Sequence, residues 1–257
     1  MTAICDADPD CFRKVVRITG ADRHSFLQGL VTNDVSEGRH GLVYAALLSP
    51  QGKYLADFFV QSQGAEIWLD VDARLVDDLV KRLSLYKLRA DVQIALTDLQ
   101  VLRGLTAPPD GAHPDPRSLV MGWRWIAPAG AAHGRAGIDW DALHVDNKIP
   151  QSLTDLKPNE SYILEMDFER LSGVDFKKGC YVGQEVTARM KHKTQLRKGL
   201  GRVTLSDPVA TGTPILRDGK EVGALGTVAG ERALAYLRYD RMGPGAVAGD
   251  ASVSFEI

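Results

Sequence analysis

Cysteine is scarce: the 257 residues hold three, Cys5, Cys11 and Cys180, with no Cys-x-x-Cys or Cys/His spacing. That scarcity excludes a disulfide framework and a structural zinc site, and fits a reducing compartment. Cys5 and Cys11 read as small residues near a loosely held terminus. Long hydrophobic runs are missing too, since none approaches the roughly 18 apolar residues of a membrane helix, so no membrane partner is expected. The opening Met-Thr-Ala-Ile-Cys-Asp-Ala-Asp lacks the basic-then-apolar order of a secretory leader, which makes the cytoplasm the expected location. No sign of charge dominates: a net charge of −2 gives no global drive toward nucleic acid. Neither a fixed-period repeat nor a low-complexity tract is present, which excludes a solenoid and a disordered tail. What remains, 44% hydrophobic and 25% charged, is the composition of a globular protein with one large core or two to three small ones.

Lys14 to Thr19 reads as a strand, followed by Asp22 as the cap of a helix carrying Phe26, Leu27, Leu30 and Val31. Strands at Leu42 to Leu48, Tyr54 to Val60 and Glu66 to Val71 predict an antiparallel sheet. Asp72 is positioned to cap a helix bearing Leu75, Val76, Leu79, Val80 and Leu83, and strands at Val92 to Leu96 and Val101 to Leu105 come next. Four prolines and a glycine make Ala107 to Arg117 a loop, and Leu119 to Ile126 reads as a strand. Asp139 to Asn147 and Ser161 to Glu169 read as helices. From Arg197 onward, β-prone runs divided by glycine turns (Leu200 to Leu205, Thr213 to Leu216, Glu221 to Val228, Arg232 to Leu237, Ser252 to Ile257) suit a small barrel or sandwich. The fold class is α+β, divided into residues 1–196 and a C-terminal β-barrel domain, 197–257.

The densest chemistry lies around Cys180, between Gly179 and Gly183 in a locally basic stretch with Lys177, Lys178, Arg189, Lys191, Lys193, Arg197 and Lys198. A thiol becomes a thiolate in a positive field. If Lys177, Lys178 and Arg189 face it, Cys180 becomes a nucleophile, a redox switch or a soft ligand to iron; otherwise it is an inert cysteine in a glycine-rich turn. One cysteine cannot hold a cluster alone, so a partner or a donated ligand such as His192 would be needed. No resident metal is expected. Gln184 and Glu185 are able to tie the loop down by hydrogen bonds, and the basic residues that follow form either a solvated face or a surface for RNA or a protein.

Lys178-Gly-Cys-Tyr-Val-Gly-Gln-Glu185 resembles the signature of the YgfZ family, folate-binding relatives of the glycine-cleavage T-protein that act in iron–sulfur protein maturation and bear on tRNA modification. Phe26 to Asp34, Gln51 to Asp57, Leu85 to Val92, Gly223 to Val228 and Ala233 to Arg238 resemble other segments of that family. The resemblance implies a tripartite fold of two intertwined ferredoxin-like α+β units with antiparallel sheets plus a small β-barrel, around a central pocket for tetrahydrofolate or a one-carbon derivative. It implies Asn33, Asp34 and Glu160 as partners of the pteridine and Arg89 and Arg189 as partners of the glutamate tail, with Tyr86 stacking and Gln184 and Glu185 nearby. Asn33 and Asp34 equally suit a turn or cap, Tyr86 a core position, and Glu160 a first helical turn. Cys180 and Lys178 are the candidate catalytic pair.

Three readings follow. One is an accessory protein, a monomer without classical turnover, that binds folate and helps iron–sulfur enzymes or their assembly proteins. Another is a folate-dependent aminomethyltransferase; the T-protein hairpin carries an Asp-Asp pair, of which Asp57 alone has a counterpart here, and this disfavours that chemistry. The last is a non-catalytic module binding RNA or protein through Lys177 to Lys198.

Overall fold

The computed structural model describes residues 7–36, 40–134, 136–193 and 195–256; Cys5 and Ile257 lie outside them. The chain divides into two compact units, Met1–Ile138 with Glu169–Gln184, and Asp139–Phe168 with Glu185–Ile257.

The first unit carries β1 (Asp8–Pro9), β2 (Arg13–Thr19), α1 (Arg23–Gln28), β3 (Leu42–Leu48), β4 (Tyr54–Gln63), β5 (Glu66–Asp72), α2 (Val76–Lys87), β6 (Gln93–Leu96), β7 (Gln100–Gly104), β8 (His113–Pro114) and β9 (Trp123–Ala127). They make two antiparallel sheets, ordered β3-β4-β5-β2-β6 and β1-β7-β9-β8. The strand from Tyr54 to Gln61 is buried on both faces, which is why that segment reads as a nearly unbroken apolar run. The stripe of α2 closes over the core through Val76, Leu79 and Leu83.

The two expected caps take other duties. Asp22 makes no side-chain cap bond and accepts instead from the Asp91 N–H (2.8 Å), while Asp72 grips the Arg74 guanidinium and N–H. The strand expected from Leu119 begins only at Trp123, because Leu119–Met121 form a single 3₁₀ turn.

The second unit carries α3 (Trp140–Asp146), most of α4 (Gln184–Lys193), and β10 (Lys198–Leu205), β11 (Pro214–Arg217), β12 (Lys220–Ala229), β13 (Arg232–Arg238), β14 (Val247–Ala248) and β15 (Ala251–Glu256). The six strands close into a barrel in the order β10-β13-β12-β11-β14-β15. Its core is Val203, Leu205, Ile215, Val222, Leu225, Leu237 and Val253. Asp139 caps α3, accepting from the Ala142 N–H at 2.9 Å.

Residues 161–169 are not a helix. The chain turns repeatedly there, with Asn159, Asp167 and Ser172 at positive φ, and Ile163, Leu164, Met166 and Phe168 are buried singly rather than along one stripe. The basic segment after Cys180, by contrast, is helical as α4, which the composition had not suggested.

Candidate functional site

Cys180 is exposed, on a turn of the first unit mounted at both ends. On its N-terminal side the Lys178 ammonium donates to three backbone carbonyls, of Gln28 (2.8 Å), Val31 (2.6 Å) and Asn33 (2.9 Å). These lie where α1 ends, among carbonyls a helix leaves without partners and at the negative end of its dipole. Beside this contact the Thr32 hydroxyl donates to the Gly173 carbonyl (2.7 Å), the Asn33 amide to the Ser172 carbonyl (2.6 Å) and the Asp175 N–H to the Thr32 carbonyl (3.0 Å). On its C-terminal side Tyr181 is buried with its ring 5.3 Å from the Lys178 nitrogen, and its N–H donates to Oε1 of Gln184 (3.2 Å), the first residue of α4. Gly183, at φ +82°, presses on the β3–β4 turn so closely that a Cβ would stand 2.6 Å from the Ser49 carbonyl oxygen. Burial pulls the Lys178 ammonium down to about 8, with Asp34 and Asp175 opposing.

The structure brings Asn33, Asp34 and Lys178 together, in a joint rather than an open site. The Asn33 amide also donates to the Tyr44 carbonyl (2.8 Å), and its Oδ1 accepts from the Asp34 N–H. Asp34 Oδ1 accepts from the Gln28 amide and the Ser36 N–H, so both residues carry the hydrogen bonds of a turn. Tyr86 and Arg89 are exposed near the end of α2, with Leu85 and Leu88, so Tyr86 is not a core residue. Gln184 opens α4 and accepts from the Tyr181 N–H, while Glu185 and Arg189 are exposed along the helix. Glu160 lies in the other unit. Asp57, the lone hairpin carboxylate, is buried and accepts from the hydroxyls of Tyr54 (2.6 Å) and Tyr44 (3.0 Å).

Glu160 lines a cavity of about 360 Å³ in the second unit. Two carboxylates lay the segment 151–166 on the barrel. Asp155 accepts from the Thr227 N–H (2.9 Å), the Thr227 hydroxyl (2.6 Å) and the Gln151 N–H (2.8 Å), and Glu165 accepts from the Tyr236 hydroxyl (2.6 Å). Burial raises the Asp155 carboxyl despite these bonds. Between the two pins the cavity has an apolar floor of Met166, Leu200 and Leu225 and a rim of Lys157, Glu160, Lys198 and Glu221. The Lys198 ammonium stands 5.3 Å from the Tyr236 ring centre on the same wall. This volume and mixed lining suit a small organic ligand with a flat body and charged ends.

Sequence reasoning missed a buried ionic cluster between the two sheets of the first unit. Arg13 and Arg124 converge on Asp70; Arg124 gives it both Nε (3.0 Å) and Nη2 (2.7 Å), and also reaches Asp10 (3.3 Å) with Arg103 (3.4 Å). Arg117 grips Asp115 through two parallel bonds, and the guanidiniums of Arg124, Arg117 and Arg13 stand 4.3, 4.8 and 5.5 Å from the Phe59 ring. Burial opposes the charge on Arg13, but Asp70 outweighs it and holds the guanidinium above its ordinary value. The available signal was Asp70 inside the apolar Ile-Trp-Leu-Asp-Val run and Arg124 between two tryptophans.

Two antiparallel sheets and a closed barrel define a T-protein-like fold. In agreement, the glycine cleavage system aminomethyltransferase T of Bartonella henselae has the same fold, with a TM-score of 0.74 over 97% of this chain and 84% of that one at 14% identity. The family described as "CAF17, C-terminal beta-barrel domain" matches residues 197–257. The human iron-sulfur cluster assembly factor IBA57, mitochondrial, is 31% identical over 88% of this chain and 77% of its own length, and the mouse protein 31% over 77% and 67%. A Mycosarcoma maydis homologue is 36% identical over 79% of this chain, which spans 57% of that protein. The chain belongs to the IBA57 family of iron–sulfur cluster assembly factors.

Two expectations change accordingly. The family is named for IBA57 rather than YgfZ. The cytoplasmic location is overturned, because these relatives are mitochondrial proteins and point to the mitochondrion.

Proposed function

We propose that this protein is a folate-binding assembly factor that serves iron–sulfur enzymes, with Cys180 as the group that meets the cluster as cargo. The observation that carries this reading is an exposed thiol on a turn fixed at both ends. Among the described residues no group of three or more His, Cys, Asp or Glu is placed to hold a metal ion. A cluster touching Cys180 therefore takes its other ligands from a partner, the arrangement expected of a factor that assembles or repairs rather than stores. The alternative of aminomethyl transfer is weakened, since Asp57 is enclosed by two tyrosine hydroxyls.

Folate binding draws its support from the cavity of the second unit, where Glu160 offers an acceptor to ring N–H groups, the Tyr236 ring a wall, and Lys157 and Lys198 cations to a glutamate tail. Calorimetric titration with tetrahydrofolate will give measurable heat, and Glu160→Gln will weaken binding about 10-fold or more, the range for a hydrogen bond to a charged group. No heat with the intact protein removes the folate half of the reading.

Cys180→Ala will leave unfolding and folate binding unchanged, since this side chain is exposed, but will fail to restore cluster-dependent enzyme activity in cells lacking the protein. Full restoration by the alanine variant removes the cysteine half.

A further inference from the structure

We propose that Lys178 is a positioning residue, whose ammonium locks the Cys180 turn onto the end of α1 instead of activating the thiol. This deepens the reading of Cys180 as the working group, yet its test reads the turn and the thiol directly. Either claim can therefore fail alone.

The geometry argues it in three steps. An ammonium has three N–H donors, and all three have carbonyl acceptors at 2.6 to 2.9 Å, one from the last residue of α1 and two from the connection that follows it. Those acceptors draw the positive charge toward the helix end and away from solvent, where the Cys180 side chain is. Burial is the largest influence on the charge of the ammonium, and the groups facing it are Asp34 of that connection, Asp175 of its own segment and the Tyr181 ring.

The lock also joins the two segments that carry the sequence signature. Phe26 to Asp34 supplies the carbonyls, the segment from Lys178 supplies the cation, and Thr32, Asn33 and Asp175 add three hydrogen bonds around it. The Gly29 N–H closes α1 on the Ser25 and Leu27 carbonyls, and the cation satisfies the Gln28 carbonyl at the end of the helix. Arginine is no substitute, because its planar fork cannot aim three donors at three converging oxygens.

The test uses the full chain with Cys5→Ser and Cys11→Ser, so that Cys180 is the thiol that reacts. Two variants are compared: Lys178→Met, which removes the cation, and Thr32→Val, which keeps it but removes two neighbouring bonds, to the Gly173 carbonyl and from the Ala46 N–H. The expected result is that in both variants amide exchange at residues 28–34 and 173–178 speeds by about tenfold. A nitroxide on Cys180 becomes more mobile, and the pH midpoint of Cys180 alkylation stays that of the parent.

An upward shift of that midpoint by about one unit in Lys178→Met, with exchange and label mobility unchanged, would mean the charge acts on the thiol and overturns the proposal. Should Lys178→Met not fold, Thr32→Val decides alone: a label as immobile as in the parent overturns it.

Discussion

Asp70→Ala will lower the stability of the first unit by about 3–5 kcal/mol, the cost of removing one partner from a buried ion pair. Its side chain is 1% exposed and takes hydrogen bonds from both Arg13 and Arg124. Without it, two guanidiniums near Phe59 are left with Asp10, which reaches only Arg124 at 3.3 Å and is shared with Arg103, and both are at most 10% exposed. The surface pair Asp78–Arg82 provides the contrast, since Asp78→Ala will change stability by no more than about 0.5 kcal/mol. Denaturant unfolding followed through Trp68, Trp123 and Trp125, which all lie in this unit, separates the two. A loss below about 1 kcal/mol for Asp70→Ala would show the cluster to be nearly isoenergetic with an apolar core.

The second large effect belongs to Gly226. A Cβ at that position would stand 1.8 Å from Oδ1 of Asp155, a carboxylate that cannot retreat without giving up its bonds to Thr227 and Gln151. Gly226→Ala will destabilise the barrel unit by about 2–4 kcal/mol and reduce tetrahydrofolate binding, because residues 154–161 form one wall of the cavity. The explanation makes a sharper demand than the single variant. In an Asp155→Ala background the obstructing oxygen is gone, so adding Gly226→Ala will cost much less than it does alone, a coupling that a double-mutant cycle reads directly. Additive losses would place the strain elsewhere.

The strands were legible because their apolar runs end at glycine or polar turns; β3, for example, begins and ends where Leu42 and Leu48 do. Helices were less so. The segment 161–169 carries Ile163, Leu164 and Phe168 at spacings close to helical, yet three residues at or near its ends adopt positive φ to lay it on the barrel, a tertiary demand no local pattern announces. Helix α4 escaped notice for the opposite reason, being polar on most of its surface and lacking an apolar stripe to give it away. At the site, Cys180 was visible from composition alone. The duties of Asn33, Asp34 and Lys178 were not, since each depends on carbonyls or N–H groups that any residue type supplies. The ionic cluster was hidden by the same logic, with Arg13, Asp70 and Arg124 spread over more than a hundred residues of strands where charge ordinarily signals the wet face.

The division of the first unit into two stretches has a consequence for biosynthesis. The polypeptide leaves this body after Ile138 and returns to it at Glu169, carrying Lys178. Until the ribosome has translated that return, the carbonyls closing α1 lack their cation, although every strand of the two sheets has already been made. Mounting of the thiol is thereby left to late synthesis.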